Sequence, residues 1–307
     1  FLEVKEKWLK GKDKEFAKAI CIYGAVVFDK SVNWNSLLCR WEPNQRKTRS
    51  TMDMQSFPFR TSYAEPGMGF PIFDWAEGNV LDSLKKIIQY TPEKTNSCQV
   101  SCSDAASLKL DDKSIETIVV DPPYHDNVIY SEMSNFFYVW LKRLIGDLFP
   151  GYFDSELTNR IDEAVANESI YKDVEKPKNA ANQHYSSKMK TFFTEMNRVL
   201  KDDGILTVMF MHKKSEAWSE LTQALMDSGF TFRASWPVFT EPGQKFGKMD
   251  KGVLKVMIIL VCRKRQEKKI GSWKEVQKEI KQEASNVVKQ YSDKGILGME
   301  LLVSAYG

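Results

Sequence analysis

The chain has 307 residues, room for one large domain or two small ones. Its 44 Lys and Arg nearly balance its 41 Asp and Glu, leaving a net charge of +3, which excludes a globally basic, histone-like binder and an acidic tail protein. With 42% hydrophobic and 28% charged residues it is built like a globular protein, and its longest apolar run, near residues 256–262, is far too short to span a bilayer.

Residues 16–41 carry Phe16, Ile20, Tyr23 and Val27 at irregular helical spacing, which predicts one or two helices ending near Pro43. Residues 44–56 form a polar loop with Arg46, Lys47 and Arg49, either solvated or touching phosphates. A short strand is expected over 70–75. Apolar positions 80, 81, 84, 87 and 88 predict an amphipathic helix over 80–90. Residues 98–102 read as a strand leading to Asp104, and 115–120 as a buried strand stopped by Pro122 and Pro123. An aromatic-rich helix is expected over 130–145. The polar segment 150–185 is read as a loop over a substrate cleft or a disordered insertion.

Further on, residues 188–200 predict a helix ended by Asp202, Asp203 and Gly204, followed by a buried strand over 205–211. Residues 218–228 predict a helix capped by Gly229. Strands over 231–238 and 253–261 flank a Pro/Gly loop with no helix between them, so they are expected as an antiparallel pair at a sheet edge. A Lys-rich charged helix over 264–289 and an apolar tail over 295–307 close the chain. Strands alternating with helices imply an α/β fold with a mostly parallel sheet. The expected division is a helical segment over 1–60, a main domain over 61–265 and a charged helical tail over 266–307.

The five cysteines, at 21, 39, 98, 102 and 262, are odd in number and contain no Cys-x-x-Cys pair. A disulfide framework or zinc ribbon is therefore not expected, and a reducing, cytoplasmic setting fits. The three histidines, 125, 184 and 212, show no paired spacing, and no metal site is expected from them. The first residue is Phe1 and no apolar signal segment follows, as expected of a fragment or processed product.

The segment with most chemical content is Asp121-Pro122-Pro123-Tyr124, delivered by an apolar strand to its carboxyl end, where ligands bind in open α/β sheets. The prolines fix φ and remove two donors, so the turn is stiff. Such a turn suits methylation of an exocyclic amine. The amine's lone pair is delocalised into the base. If Asp121 and the Pro122 carbonyl accept its two N–H groups, the lone pair is freed and aimed at a methyl sulfonium. Tyr124 would stack on a base held outside the duplex. The alternative is a turn that merely ends a strand. Asp104, with Ala105 beside it, is placed to accept from the adenine amine of S-adenosylmethionine, or else caps a turn. His125 is read as touching substrate or phosphate, or as a polar turn residue. Lys213 and Lys214 meet phosphates or are solvated.

The run Asp121-Pro-Pro-Tyr-His-Asp-Asn-Val-Ile-Tyr-Ser-Glu-Met-Ser-Asn-Phe-Phe-Tyr-Val-Trp-Leu-Lys-Arg143 resembles the large prokaryotic adenine-specific DNA methylases that carry a zinc-ribbon insertion. Asn35-Ser-Leu-Leu-Cys-Arg-Trp41, Phe73-Asp-Trp-Ala-Glu77 and Arg198-Val-Leu-Lys-Asp-Asp-Gly-Ile-Leu206 look like further blocks of that family, and the likeness covers roughly residues 20–262. The resemblance implies a Rossmann-like Class I methyltransferase fold. It also implies S-adenosylmethionine as donor and adenine N6 in DNA as acceptor. Asp121, Pro122, Pro123 and Tyr124 would be the catalytic motif. Asp104, Ala105, Asp121, Ser131, Asp74 and Glu77 would border the cofactor, although Asp74 and Glu77 also suit helix caps. Phe136, Phe137, Tyr138 and Trp140 are read as core rather than a base platform.

The sequence departs from that family in lacking its glycine-rich cofactor loop and its zinc ribbon. Gly67-Met-Gly69 is the one G-x-G, and neither a buried strand before it nor a helix directly after it supports a cofactor loop. The chain is therefore expected to be the carboxyl-terminal portion of a longer or split enzyme. An upstream subunit or segment would supply the loop and the first strand. Two rivals stand beside this reading. One is methylation of cytosine N4 in DNA or guanine N2 in RNA. The other is a nucleic-acid-binding subunit that kept the fold without catalysis.

Overall fold

The computed structural model describes residues 1–11, 13–44, 46–53, 63–64, 71–91, 98–212, 214–239, 256–266, 272–295 and 301. The chain packs as two compact units, one of residues 1–100 with 129–163 and one of 101–128 with 164–307. Among the described residues no helix is long and apolar enough to cross a membrane.

The first unit is helical. It comprises α1 (Leu2–Leu9), α2 (Lys14–Trp34), the short antiparallel pair β1 (Arg40–Glu42) and β2 (Lys47–Arg49), and α3 (Ile72–Tyr90). Asp13 caps α2 by accepting the Phe16 N–H at 2.9 Å. The helix α4 (Tyr130–Ile145) packs on α2 through Phe28 and Trp140, whose rings lie 5.4 Å apart, above a core of Cys21, Ala25, Leu144 and Ile145. Lys5 is buried, with its ammonium held by the Leu144 carbonyl at 2.8 Å and by Asp147. An open apolar groove of about 680 Å³ lies among α1, α2 and α3, with Trp8, Phe16, Tyr23, Phe73 and Leu81 in its walls.

The second unit holds the sheet. Its elements are β3 (Ile115–Val120), α5 (Pro177–Val199), β4 (Leu200–Phe210), α6 (Ser215–Asp227), β5 (Phe230–Phe239), β6 (Val256–Lys264) and α7 (Trp273–Asp293). The strand order is β3-β4-β6-β5. β3 and β4 are parallel, with Val120 opposite Val208, while β4–β6 and β6–β5 are antiparallel. Every second residue of β4 from Gly204 to Phe210 is buried, and Leu206, Val208 and Phe210 meet Tyr185, Met189 and Phe193 of α5 and Trp218, Leu221 and Leu225 of α6. Gly204 lies where a Cβ would come within 2.7 Å of the Leu200 side chain and 2.9 Å of the Glu116 carbonyl. The parallel register slips at this place.

The α/β class and the antiparallel edge pair follow the sequence expectation, but the mostly parallel sheet does not: among the described residues one of the three pairings in the four-stranded sheet is parallel. Where a strand was expected over 70–75, residues 72–75 form the first turn of α3, a helix whose buried residues are Ala76 and Val80, and Phe70 lies outside the described residues. Residues 98–104 form no ladder, and Val100 is 90% exposed. The strand expected to be buried, β3, is only half-buried, at Ile115, Ile118 and Val120, and Val119 is 62% exposed. The expected loop over 150–185 contains a 3-10 turn at Glu168–Tyr171 and the first nine residues of α5, and the expected helix at 264 starts instead at Trp273 because β6 runs on to Lys264. Gly67-Met-Gly69, the loop over 241–252, Lys213 and most of the apolar tail lie outside the described residues.

Candidate functional site

β3 ends where Pro122 and Pro123 remove the next two backbone donors. Asp121 is exposed, Pro122 buried, and Pro123 and Tyr124 half-buried. The Pro123 carbonyl accepts two bonds, from the buried Tyr185 hydroxyl at 2.9 Å and from the His125 N–H at 3.1 Å. Tyr124 sets its ring edge-on against Phe210, centroids 5.3 Å apart, and its hydroxyl 3.9 Å from the Met257 sulfur. The Asn127 N–H closes the turn on the Tyr124 carbonyl at 3.0 Å, and the Ala166 N–H binds the His125 carbonyl at 3.0 Å.

Because β3 and β4 run parallel, their carboxyl ends lie side by side. The residues following each strand therefore meet. Asp126, after β3, takes an ion pair from Lys214 and faces His212 Nε2 at 3.2 Å, both from the segment after β4. His125 joins them, its ring centroid 5.8 Å from that of His212 and 5.0 Å from that of Tyr185. Burial alone would raise the Asp126 carboxyl, but Lys214 and His125 outweigh it and bring its pKa down to about 2. His212 moves the other way from a charged state: burial lowers its pKa, and Asp126 only partly restores it.

One nitrogen or oxygen from each of His125, Asp126 and His212 lies within 4.8 Å of the others, a spacing a metal ion could bridge. The hydrogen bonds argue otherwise. His212 Nδ1 accepts the Lys214 N–H at 3.1 Å, so the ring proton sits on Nε2, toward Asp126. A neutral imidazole ligand has its proton on the nitrogen away from the metal. The group is therefore a hydrogen-bonded network.

The other sequence-predicted residues fall in two places. In the second unit, Asp104 is exposed and accepts the Ala106 N–H at 2.9 Å, while its carbonyl accepts the Ser107 N–H at 3.0 Å; Ala105 lies inside this turn. The loop is pinned by Arg198, which donates to the carbonyls of Leu108 at 3.1 Å and Leu110 at 2.9 Å. In the first unit, Ser131 is buried, and its N–H and hydroxyl both donate to Glu163. Asp74 is an exposed acid in the first turn of α3, and Glu77 borders the apolar groove. Phe136 and Phe137 of α4 meet edge to face, their ring centroids 5.1 Å apart.

Sequence reasoning treated the histidines as scattered and left Asp126 and Glu220 unmentioned. The usable signal was topological: the ends of two adjacent parallel strands share one edge. No protein-family model and no curated protein matches the chain.

Proposed function

We propose that the chain is the acceptor-binding part of an S-adenosylmethionine-dependent methyltransferase acting on adenine N6 in DNA, within a longer or split enzyme. One observation carries the reading: the Asp121 carboxylate stands exposed at the carboxyl end of a parallel strand, on a turn stiffened by Pro122 and Pro123. The Pro123 carbonyl is committed to Tyr185 and His125. The acceptors assigned to the substrate amine are thus the Asp121 carboxylate and the Pro122 carbonyl. Together they orient the amine and draw on its N–H bonds, which restores nucleophilic character to the nitrogen.

S-adenosylmethionine, when bound, supplies an electrophilic methyl group. The described residues fit it in part. Asp104 is exposed and its carboxylate has room to accept a second N–H beside that of Ala106. The glycine-rich part of the cradle is assigned to the partner or upstream segment.

A second reading, a nucleic-acid-binding subunit without catalysis, draws on Tyr124. Its ring is half-buried against Phe210 and is only partly available for stacking on a base. Titration of S-adenosylmethionine against the chain, alone and with the polypeptide encoded beside it, separates the two. Binding that requires the partner, with N6-methyladenine as the product from DNA, supports the enzyme. Binding in neither case supports the scaffold, and N4-methylcytosine or N2-methylguanine as product would redirect the substrate. In the reconstituted enzyme Asp121→Ala is expected to lower turnover by about 10²-fold or more while DNA binding is retained. Unchanged turnover would remove the carboxylate from the reaction.

A further inference from the structure

His125 is held in an unusual way. Its φ is +54°, in the left-handed region that residues other than Gly rarely adopt, Asn, Asp and His being the commonest exceptions. Both backbone polar groups are tied, the N–H to Pro123 and the carbonyl to Ala166. The residue is 5% exposed, yet neither ring nitrogen completes a hydrogen bond among the described residues. Each nevertheless faces a carboxylate: Nδ1 lies 3.4 Å from Asp126 Oδ1, and Nε2 lies 3.8 Å from Glu220 Oε2.

Both carboxylates are anchored elsewhere. Asp126 holds Lys214 and His212, and Glu220, on α6, accepts the Ser186 hydroxyl of α5 at 2.8 Å. Tyr185 of α5 closes the remaining side of the ring and gives its own proton to Pro123. A neutral imidazole has one N–H and can serve one of these carboxylates. An imidazolium has two and can serve both.

We propose that His125 is a positioning residue for the Asp121–Tyr124 turn, a latch that in its protonated form bridges Asp126 on its own loop to Glu220 on α6. The inference rests on the methyltransferase reading only in treating that turn as the site. Asp126 and Tyr185 do not share the switch. Asp126 stays ionised from about pH 2 upward. Burial raises the Tyr185 phenol well above neutral pH. His212 keeps its proton on Nε2, with Lys214 N–H on Nδ1. The imidazolium, with two N–H donors, closes the latch and the neutral ring, with one, opens it, so acid favours the closed form and base the open one.

The test is amide hydrogen exchange of the full chain at pH 5.5 and pH 8.0, corrected for intrinsic exchange chemistry. The reporters are the three amides that close the turn: His125, Asn127 and Ala166. Their protection is expected to fall by about tenfold between the two pH values, the scale of one charge-assisted hydrogen bond. The amide of Val208 in β4 serves as the unaffected control. His125→Asn keeps a side chain that tolerates the left-handed backbone, and Glu220→Gln keeps the chain length but removes the charge. Both variants are expected to lose the pH dependence to within about twofold. A flat profile in the wild type, or the same profile in all three proteins, would overturn the proposal. Neither S-adenosylmethionine nor DNA enters the measurement, so its failure is separate from failure of the proposed function.

Discussion

The hydroxyl of Tyr185, in the middle of α5, donates to the carbonyl of Pro123 at 2.9 Å, so the helix beneath the sheet fixes the turn that carries Asp121. Tyr185 is fully buried, and burial raises its pKa, so the donor keeps its proton throughout the neutral range. Tyr185→Phe removes the donor while leaving the ring packing. The expected loss is about 1 kcal/mol in denaturant unfolding. A larger relative loss is expected in methyl transfer, because a turn that shifts misplaces its acceptors. Equal activity at reduced stability would place Tyr185 among purely structural residues.

Asp126 sets the acid limb of stability. Its folded pKa, about 2, lies below the ordinary aspartate value near 3.9. A depressed carboxyl contributes stability that is complete above the unfolded pKa and is lost as pH falls through the folded one. The window therefore runs from about pH 4 down to about pH 2. Unfolding free energy measured across that window is expected to fall with pH in the wild type and to fall less steeply in Asp126→Asn. Lys214→Ala should reproduce part of this change, since its ammonium is the carboxylate's ion-pair partner.

Gly204 shows how a backbone constraint can hide inside an apparent helix stop. The run Asp202-Asp203-Gly204 reads as a turn after a helix, and the strand was expected to begin at 205. Instead β4 starts at Leu200 and bulges through these residues. A methyl group at Gly204 would meet the Leu200 side chain at 2.7 Å and the Glu116 carbonyl of β3 at 2.9 Å. Gly204→Ala is expected to destabilise the second unit by about 1–3 kcal/mol through overpacking. Thermal or chemical denaturation checks it, and a neutral result would show that the β3–β4 edge can spread.

The parts of the fold that were legible share one property: their apolar residues outnumber the polar ones on the buried face. The runs behind β4, β6 and α6 are of this kind. The amino-terminal part of α5 was missed because its buried residues, Ala181 and Tyr185, are diluted by Asn, Gln, Ser and Lys on the other faces. Residues 98–102 failed in the opposite sense: a single Val among small polar residues gives alternation without a core to bury it. At the site, the Asp121–Tyr124 turn was readable because the motif is contiguous. The network of His125, Asp126, His212, Lys214 and Glu220 was not, because it is assembled from the ends of two strands and a helix 86 to 95 residues further along the chain. The clamp of Arg198 on the carbonyls of Leu108 and Leu110 was hidden for the same reason. Arg198→Lys should loosen that loop, with faster exchange at the amides of Leu108 and Lys113, since a lysine cannot reproduce the planar fork.

Tyr124 separates packing from recognition. Its ring leans on Phe210 and Met257, while the proposed function asks the same ring to stack on a base. The hydroxyl meets a sulfur at 3.9 Å, a weak acceptor, so Tyr124→Phe should alter both stability and methyl transfer by no more than about 0.5 kcal/mol. Tyr124→Ala removes the ring. It should cost stability through the gap left beside Phe210, and it should weaken binding of a flipped or single-stranded target by a further ~1–3 kcal/mol, the scale of one base–aromatic stack. Binding of single-stranded DNA to Tyr124→Ala, measured at a temperature where the variant is fully folded, isolates the second loss. If binding is intact there, the ring belongs to the core alone and another aromatic must hold the base.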